Sequence, residues 1–362
     1  MPAINKPNQH FDVLTWSGTG GGSGATRSIT GLNFQPDFVW EKARSSGTGH
    51  QLLDSVRGVG QNKVLASNST GDEPEPAGTE SLYGWLSSLD SGGFTVTNGT
   101  STFDNWNKSG DTYVGWTWKA GGAAVTNNDG TITSQVSANP TAGFSVVTFT
   151  APGSGNFSAG HGLGVTPGMV ITKVRGRATS WITWHNRLNS GSPGTTYYVE
   201  LNTTGGTSTF ASVWGSTGVT SSVIGMGVGA SCAASDTIVA YCFAPIAGYS
   251  AFGSYTGNGS VDGPFVYTGF RPRFILYKRA TGGLGNWVIL DTARDTYNLS
   301  STRLFPSDAA TTETAATAQM DILSNGFKIR VSGATDTGTN DGSSTYIYAA
   351  FAEAPFKYAN AR

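Results

Sequence analysis

The sequence predicts an all-β protein built from three tandem antiparallel β-sandwich or jelly-roll-like units with little helix. Three observations carry this. The chain has 362 residues, 51 of them Gly and only 12% charged, yet it holds 10 Trp, 13 Tyr and 18 Phe. Ordinary soluble chains are about one-quarter charged. Disordered chains are poor in aromatics, and collagen needs a Gly-X-Y period that is absent here. Apolar and polar residues alternate with period 2 between clusters of turn residues, the pattern of half-buried strands. Finally, three sequence markers recur three times in the same order, the signature of internal repetition.

The first marker is a Gly, an X-Pro step and an apolar strand ending in Lys. It runs Gly31 … Pro36-Asp37-Phe38-Val39-Trp40-Glu41-Lys42, Gly162 … Pro167-Gly168-Met169-Val170-Ile171-Thr172-Lys173 and Gly269-Phe270-Arg271-Pro272 … Leu276-Tyr277-Lys278. Pro before a strand is tolerated because no ladder N–H is lost there. The second marker runs from His50 through Asp54 to Arg57, and again from Trp287 through Asp291 to Arg294. The middle copy degrades it to Trp181-Ile182-Thr183-Trp184-His185-Asn186-Arg187. The third is a closing strand at residues 111–118, 236–243 and 344–351. A Gly-Phe strand precedes it at Gly93-Phe94 and Gly326-Phe327.

These markers divide the chain into an arm at 1–10, units at 11–122, 144–248 and 249–362, and a linker with a short strand at 123–143. Asn128-Asp129-Gly130 marks a turn inside that linker. The junction Pro245-Ile246-Ala247-Gly248 has little slack, whereas the linker leaves units one and two some freedom. Each unit is long enough to bury its own core. Only 80–89 and 308–323 have helix-forming composition. The crossover helices that parallel strands require are missing, so the sheets are antiparallel.

Several functions are excluded or disfavoured. A net charge of −1 without a basic cluster removes the electrostatic case for nucleic acid. No apolar run is long enough for a membrane span, and Met1 to His10 has no signal-peptide apolar core. His10, His50, His161 and His185 lack zinc-site spacing and read as surface or turn residues. The acidic run Asp72-Glu73-Pro74-Glu75-Pro76 lacks the calcium-loop pattern and reads as a solvated loop. Cys232 and Cys242 are expected as two reduced thiols in preference to one disulfide. No nucleophile motif or phosphate loop is present, so no catalytic residue, metal or cofactor is expected.

Two sets of residues remain. Asp54 with Arg57 and Asp291 with Arg294 occupy equivalent places, and recurrence in a scaffold favours a local pair or turn cap over catalysis. Lys42, Lys173 and Lys278 end strands, where charge blunts an exposed edge. Trp106 and Trp214 stand in Gly/Ser/Asn-rich surroundings; they are candidates for stacking on sugars or for a protein interface, with burial under a loop as the alternative.

The run Asp129-Gly130-Thr131-Ile132 … Val136-Ser137-Ala138-Asn139-Pro140-Thr141-Ala142-Gly143-Phe144-Ser145-Val146-Val147-Thr148 resembles virion structural proteins of tailed bacteriophages, especially marine ones. So do Gly160-His161-Gly162-Leu163-Gly164-Val165-Thr166-Pro167 and Gly269 … Phe274 with Trp287 … Arg294. The resemblance implies a non-enzymatic fibre, tail or capsid-surface component, commonly trimeric, that resides in the virion after assembly in the host cytoplasm. Its partners would be copies of itself, other virion proteins and a host-surface glycan or receptor. The alternatives are a carbohydrate-binding β-sandwich protein or a polysaccharide-cleaving tailspike-type enzyme.

Overall fold

The computed structural model describes residues 4–73, 80–100, 105–309 and 312–354. It is nearly all β, and every strand pairing is antiparallel apart from isolated bridges.

One strand order recurs in three sheets. In the first segment it is Phe11–Ser17, Thr112–Trp118, Phe38–Ala43, Gln51–Asp54. In the third it is Ser250–Thr256, Thr345–Ala352, Pro272–Arg279, Trp287–Asp291. The second has Phe144–Thr150, Thr237–Phe243, Met169–Val174, Ile182–His185 at the middle of an eight-stranded sheet. The closing strand of each segment thus lies beside its opening strand, which is why the third marker ends every copy.

A second sheet covers one face of each. Thr26–Thr30, Gly93–Thr97 and Trp85–Asp90 form it in the first segment. Asn156–Gly160 with Val223–Gly227 form it in the second, and Phe265–Tyr267, Gly326–Ile329, Thr314–Leu323 and Ser300–Arg303 in the third. Apolar side chains fill each sandwich: Leu53, Phe94 and Trp106 in the first, Val147, Trp184 and Trp214 in the second, Ile275, Phe327 and Tyr346 in the third.

The repeated glycines have two physical causes. The first-marker residues Gly31, Gly162 and Gly269 all have positive φ, at 127°, 72° and 85°. The Gly-Phe pair opens a strand at close approach. A Cβ on Gly93 would lie 1.9 Å from the Ile29 carbonyl oxygen, and one on Gly326 2.1 Å from that of Val266.

Two expectations are revised. Residues 123–143 are not a slack connection. Val125–Asn127 and Ser134–Asn139 add two strands to the second sheet, with Asn139 opposite Phe144 and Ser134 opposite Phe149. Gly121 N–H donates to Ser137 Oγ, which donates to the Gly122 carbonyl. The helix-forming composition of 308–323 yields the strand Thr314–Leu323, because β-branched residues and a two-residue turn before Gly326 make a hairpin. At 80–89 a four-residue helix, Glu80–Tyr83, gives way to the strand Trp85–Asp90.

The larger revision concerns independence of the units. The faces of the three main sheets that turn away from their sandwiches share one core. Trp118, Phe243 and Phe351 are equivalent residues, opposite Phe38, Met169 and Phe274 in register. Their rings meet pairwise, with centroids 5.8 Å apart for Trp118–Phe243, 5.6 Å for Trp118–Phe351 and 5.9 Å for Phe243–Phe351. Each pair is edge-to-face, an arrangement preferred by the ring quadrupole. Three equivalent aromatics in mutual contact define a quasi-threefold centre. Ile4 of the arm belongs to the same core.

Candidate functional site

The residues that the repeats single out lie at the junctions around this centre. Asp54 Oδ2 meets Arg57 Nε at 2.5 Å, and Asp291 Oδ2 meets Arg294 Nε at 2.7 Å, all four side chains fully buried. The second carboxylate oxygen caps the turn. Asp54 Oδ1 accepts from the N–H groups of Val56 and Arg57, and Asp291 Oδ1 from those of Ala293 and Arg294. The guanidinium then reaches back to its own strand, to the Leu52 or Ile289 carbonyl.

Each pair also reaches the next segment. Tyr241 Oη, from the second closing strand, donates to Asp54 Oδ2 at 2.9 Å. Trp116 Nε1, from the first closing strand, donates to Asp291 Oδ2 at 2.9 Å. Arg57 faces Glu73, which pairs with Arg175 of the second segment. Arg294 pairs at 3.0 Å with Glu313, which pairs at 2.8 Å with Arg44 of the first. Burial disfavours the charged guanidinium. The carboxylates outweigh it, and both Arg57 and Arg294 are held above their ordinary value.

His185 fills the corresponding place in the second segment. It stands opposite Met169 as Asp54 stands opposite Phe38 and Asp291 opposite Phe274. Its Nδ1 accepts from the Arg187 N–H, and its Nε2 donates to the Tyr348 carbonyl of the third segment at 3.0 Å. Burial pushes its pKa down to about 4, so the ring is neutral. The contacts therefore run from segment one to two, two to three and three to one. A heterologous contact repeated through such a rotation closes a ring.

The strand-end lysines do not lie on exposed edges, and two of them reach across the seams. All three are buried. Lys173 Nζ donates to the Thr70 carbonyl of the first segment and Lys278 Nζ to the Thr203 carbonyl of the second. Lys42 Nζ donates to Ala43 and Ser46 within its own segment. Burial pushes Lys42 down to about 8 and Lys278 to about 7. Trp181 Nε1 donates to Ala66 O and Trp287 Nε1 to Glu200 O, again across segments.

The structure also places the remaining residues that the sequence singles out. Trp106 and Trp214 are fully buried, so neither ring is available to a ligand. Trp106 accepts at its carbonyl from Trp16 Nε1, and Trp214 Nε1 donates to Tyr197 O at 2.9 Å. His50, His161 and His185 are buried, and only His10 is partly exposed. Glu73 is an ion-pair partner instead of a solvated loop residue; residues 74–76 of the acidic run lie outside the described residues. Cys232 and Cys242 are free and buried. Among the described residues no group of three or more His, Cys, Asp or Glu could hold a metal ion, and no helix is long and apolar enough to cross a membrane.

A family model described as a domain of unknown function, DUF7483, matches residues 6–355. The chain belongs to this family. The DUF7483 match spans all three segments, in keeping with their common core. Neither the curated proteins nor the solved structures contain a match.

Proposed function

We propose that this DUF7483 protein is a non-enzymatic structural component of a bacteriophage virion, at a fibre, the tail or the capsid surface. The observation that carries the reading is the closed ring: three β-sandwiches around one aromatic centre, tied at each junction by buried polar groups. Such a block resists local opening, because exposing any segment uncovers the shared core. That property suits a particle component which must keep its shape outside a cell. The motif resemblance to virion proteins supports the same reading. A threefold arrangement held within one chain also suits docking on a threefold or trimeric neighbour in the particle, and self-association would use the outer faces of the ring.

Mass spectrometry of purified particles of the encoding phage tests this. The chain is expected among the virion proteins at a stoichiometry fixed from one preparation to the next. Its absence from the particles would overturn the proposal.

A further inference from the structure

The outer sheet of the third segment differs from that of the first at its edge strand. Its edge strand, Phe265–Tyr267, turns Val266 inward and leaves Phe265 46% and Tyr267 67% exposed. In the first segment Ile29 faces Phe94 as Val266 faces Phe327. That register puts Ser28 and Thr30 where the third segment has Phe265 and Tyr267. The scaffold therefore accepts small polar residues at both places, so the fold does not require rings there. Contiguous exposed apolar surface is where soluble proteins meet ligands and partners, and these two rings adjoin on one face.

The local geometry makes these rings a platform. Tyr267 stands opposite Gly326, and a Cβ on Gly326 would lie 3.1 Å from Phe265 Cε2. The Phe265 ring thus lies close to the Gly326 backbone and remains about half exposed. Alternate residues along a strand are about 6.6 Å apart on one face, so Phe265 and Tyr267 project from the same outer face.

Charged groups border the platform and cancel. Phe265 is opposite Lys328, which is opposite Asp321 on the next strand. Asp262, with its side chain 80% exposed, meets Lys328 Nζ at 2.8 Å and Arg330 Nη1 at 4.0 Å, while Arg330 Nε lies 3.4 Å from Asp321. Two carboxylates face two cations. An acidic or basic polymer gains no net attraction here. The matching ligand has apolar ring faces, many hydroxyls and no charge.

We propose that this face binds a neutral polysaccharide, with pyranose rings stacked on Phe265 and Tyr267 and hydroxyls bonded to Asp262 and Lys328. The proposal stands on the third segment alone and holds whether or not the chain is found in particles.

Affinity electrophoresis of the full chain tests it, through gels containing dextran, mannan or laminarin as neutral polysaccharides and alginate as an acidic one. At least one neutral polymer is expected to retard the protein, and alginate is not. The double variant F265S/Y267T copies the first segment's residues, so its melting temperature should be unchanged while its affinity falls about tenfold or more. Asp262→Ala, at an exposed position, should weaken retardation severalfold and decides the matter if the double variant does not fold. Retardation by no neutral polymer, equal retardation by alginate, or retardation unaffected by the variants would overturn the proposal. So would light scattering that shows a dimer abolished by F265S/Y267T in a protein that no polysaccharide retards, which would make the face a self-contact.

Discussion

Tyr241 and Asp54 are 187 residues apart, yet the phenol donates to the carboxylate at 2.9 Å in a fully buried site. The same oxygen also holds Arg57. One carboxylate thus caps a turn, neutralises a guanidinium and fastens two segments. Trp116 and Asp291 repeat the arrangement between the first and third segments.

Removing one partner of such a group should cost far more than a surface ion pair. Asp54→Ala and Asp291→Ala each remove the nearest carboxylate from a buried guanidinium, leaving Arg57 only Glu73 and Arg294 only Glu313, and about 3–5 kcal/mol of stability should be lost. Chemical denaturation measures it. A loss below about 1 kcal/mol would show that the pair is solvated.

His185 makes its junction sensitive to acid. Its folded-state pKa is about 4 against an ordinary 6.5, so the unfolded chain takes up the proton first. Its contribution is full above pH 6.5 and falls as pH drops towards 4, by up to about 3 kcal/mol. His50 and His161 are also lowered by burial and act with the same sign. Thermal melts of His185→Gln should show a shallower decline between pH 6.5 and 4 than the parent. An identical slope would contradict this.

Trp106 and Trp214 should behave as core residues. Trp106→Ala and Trp214→Ala should each destabilise by about 3–5 kcal/mol through loss of a buried ring. Trp fluorescence during denaturation reads the effect. Unchanged stability in either variant would mean that the ring is not packed as described.

The cysteines should be unreactive in the folded chain. Burial raises Cys232 to about 11 and Cys242 to about 12, so little thiolate forms at pH 8. A colorimetric thiol reagent should find both thiols only after denaturation, without prior reduction. Fast labelling of the native chain would argue against the burial.

Calorimetry should show one unfolding transition for the whole chain. Separate segments would melt apart, but Phe38, Phe274 and Phe351 belong to a core that no segment completes alone. Three resolved peaks would refute the shared core.

The sequence showed strands and their repetition clearly, because alternation and turn glycines are local properties. It showed the Asp54–Arg57 and Asp291–Arg294 pairs because three-residue spacing is local too. What it hid was the other side of each contact. Lys173 looked like an edge charge because its acceptor, the Thr70 carbonyl, is 103 residues away. Trp106 leaves ligand stacking and burial both open in the sequence because its near neighbours are polar, while Trp16, which packs with it in the same core, is 90 residues away. His185 stands four residues after Trp181 as Asp291 does after Trp287, but with His in place of Asp only strand register shows that it fills the same place.

The ring at Trp118, Phe243 and Phe351 has a consequence for valency. Three identical chains around that centre would carry every surface feature in triplicate. Because one continuous polypeptide makes the circuit, each third of it has been free to drift: Asp at two seams and His at the third, Ser28 and Thr30 on one flank and Phe265 and Tyr267 on another. Among the described residues the architecture is threefold but the Phe265 and Tyr267 pair is not repeated in the first segment, so any avidity at the proposed site must come from how many copies are arrayed.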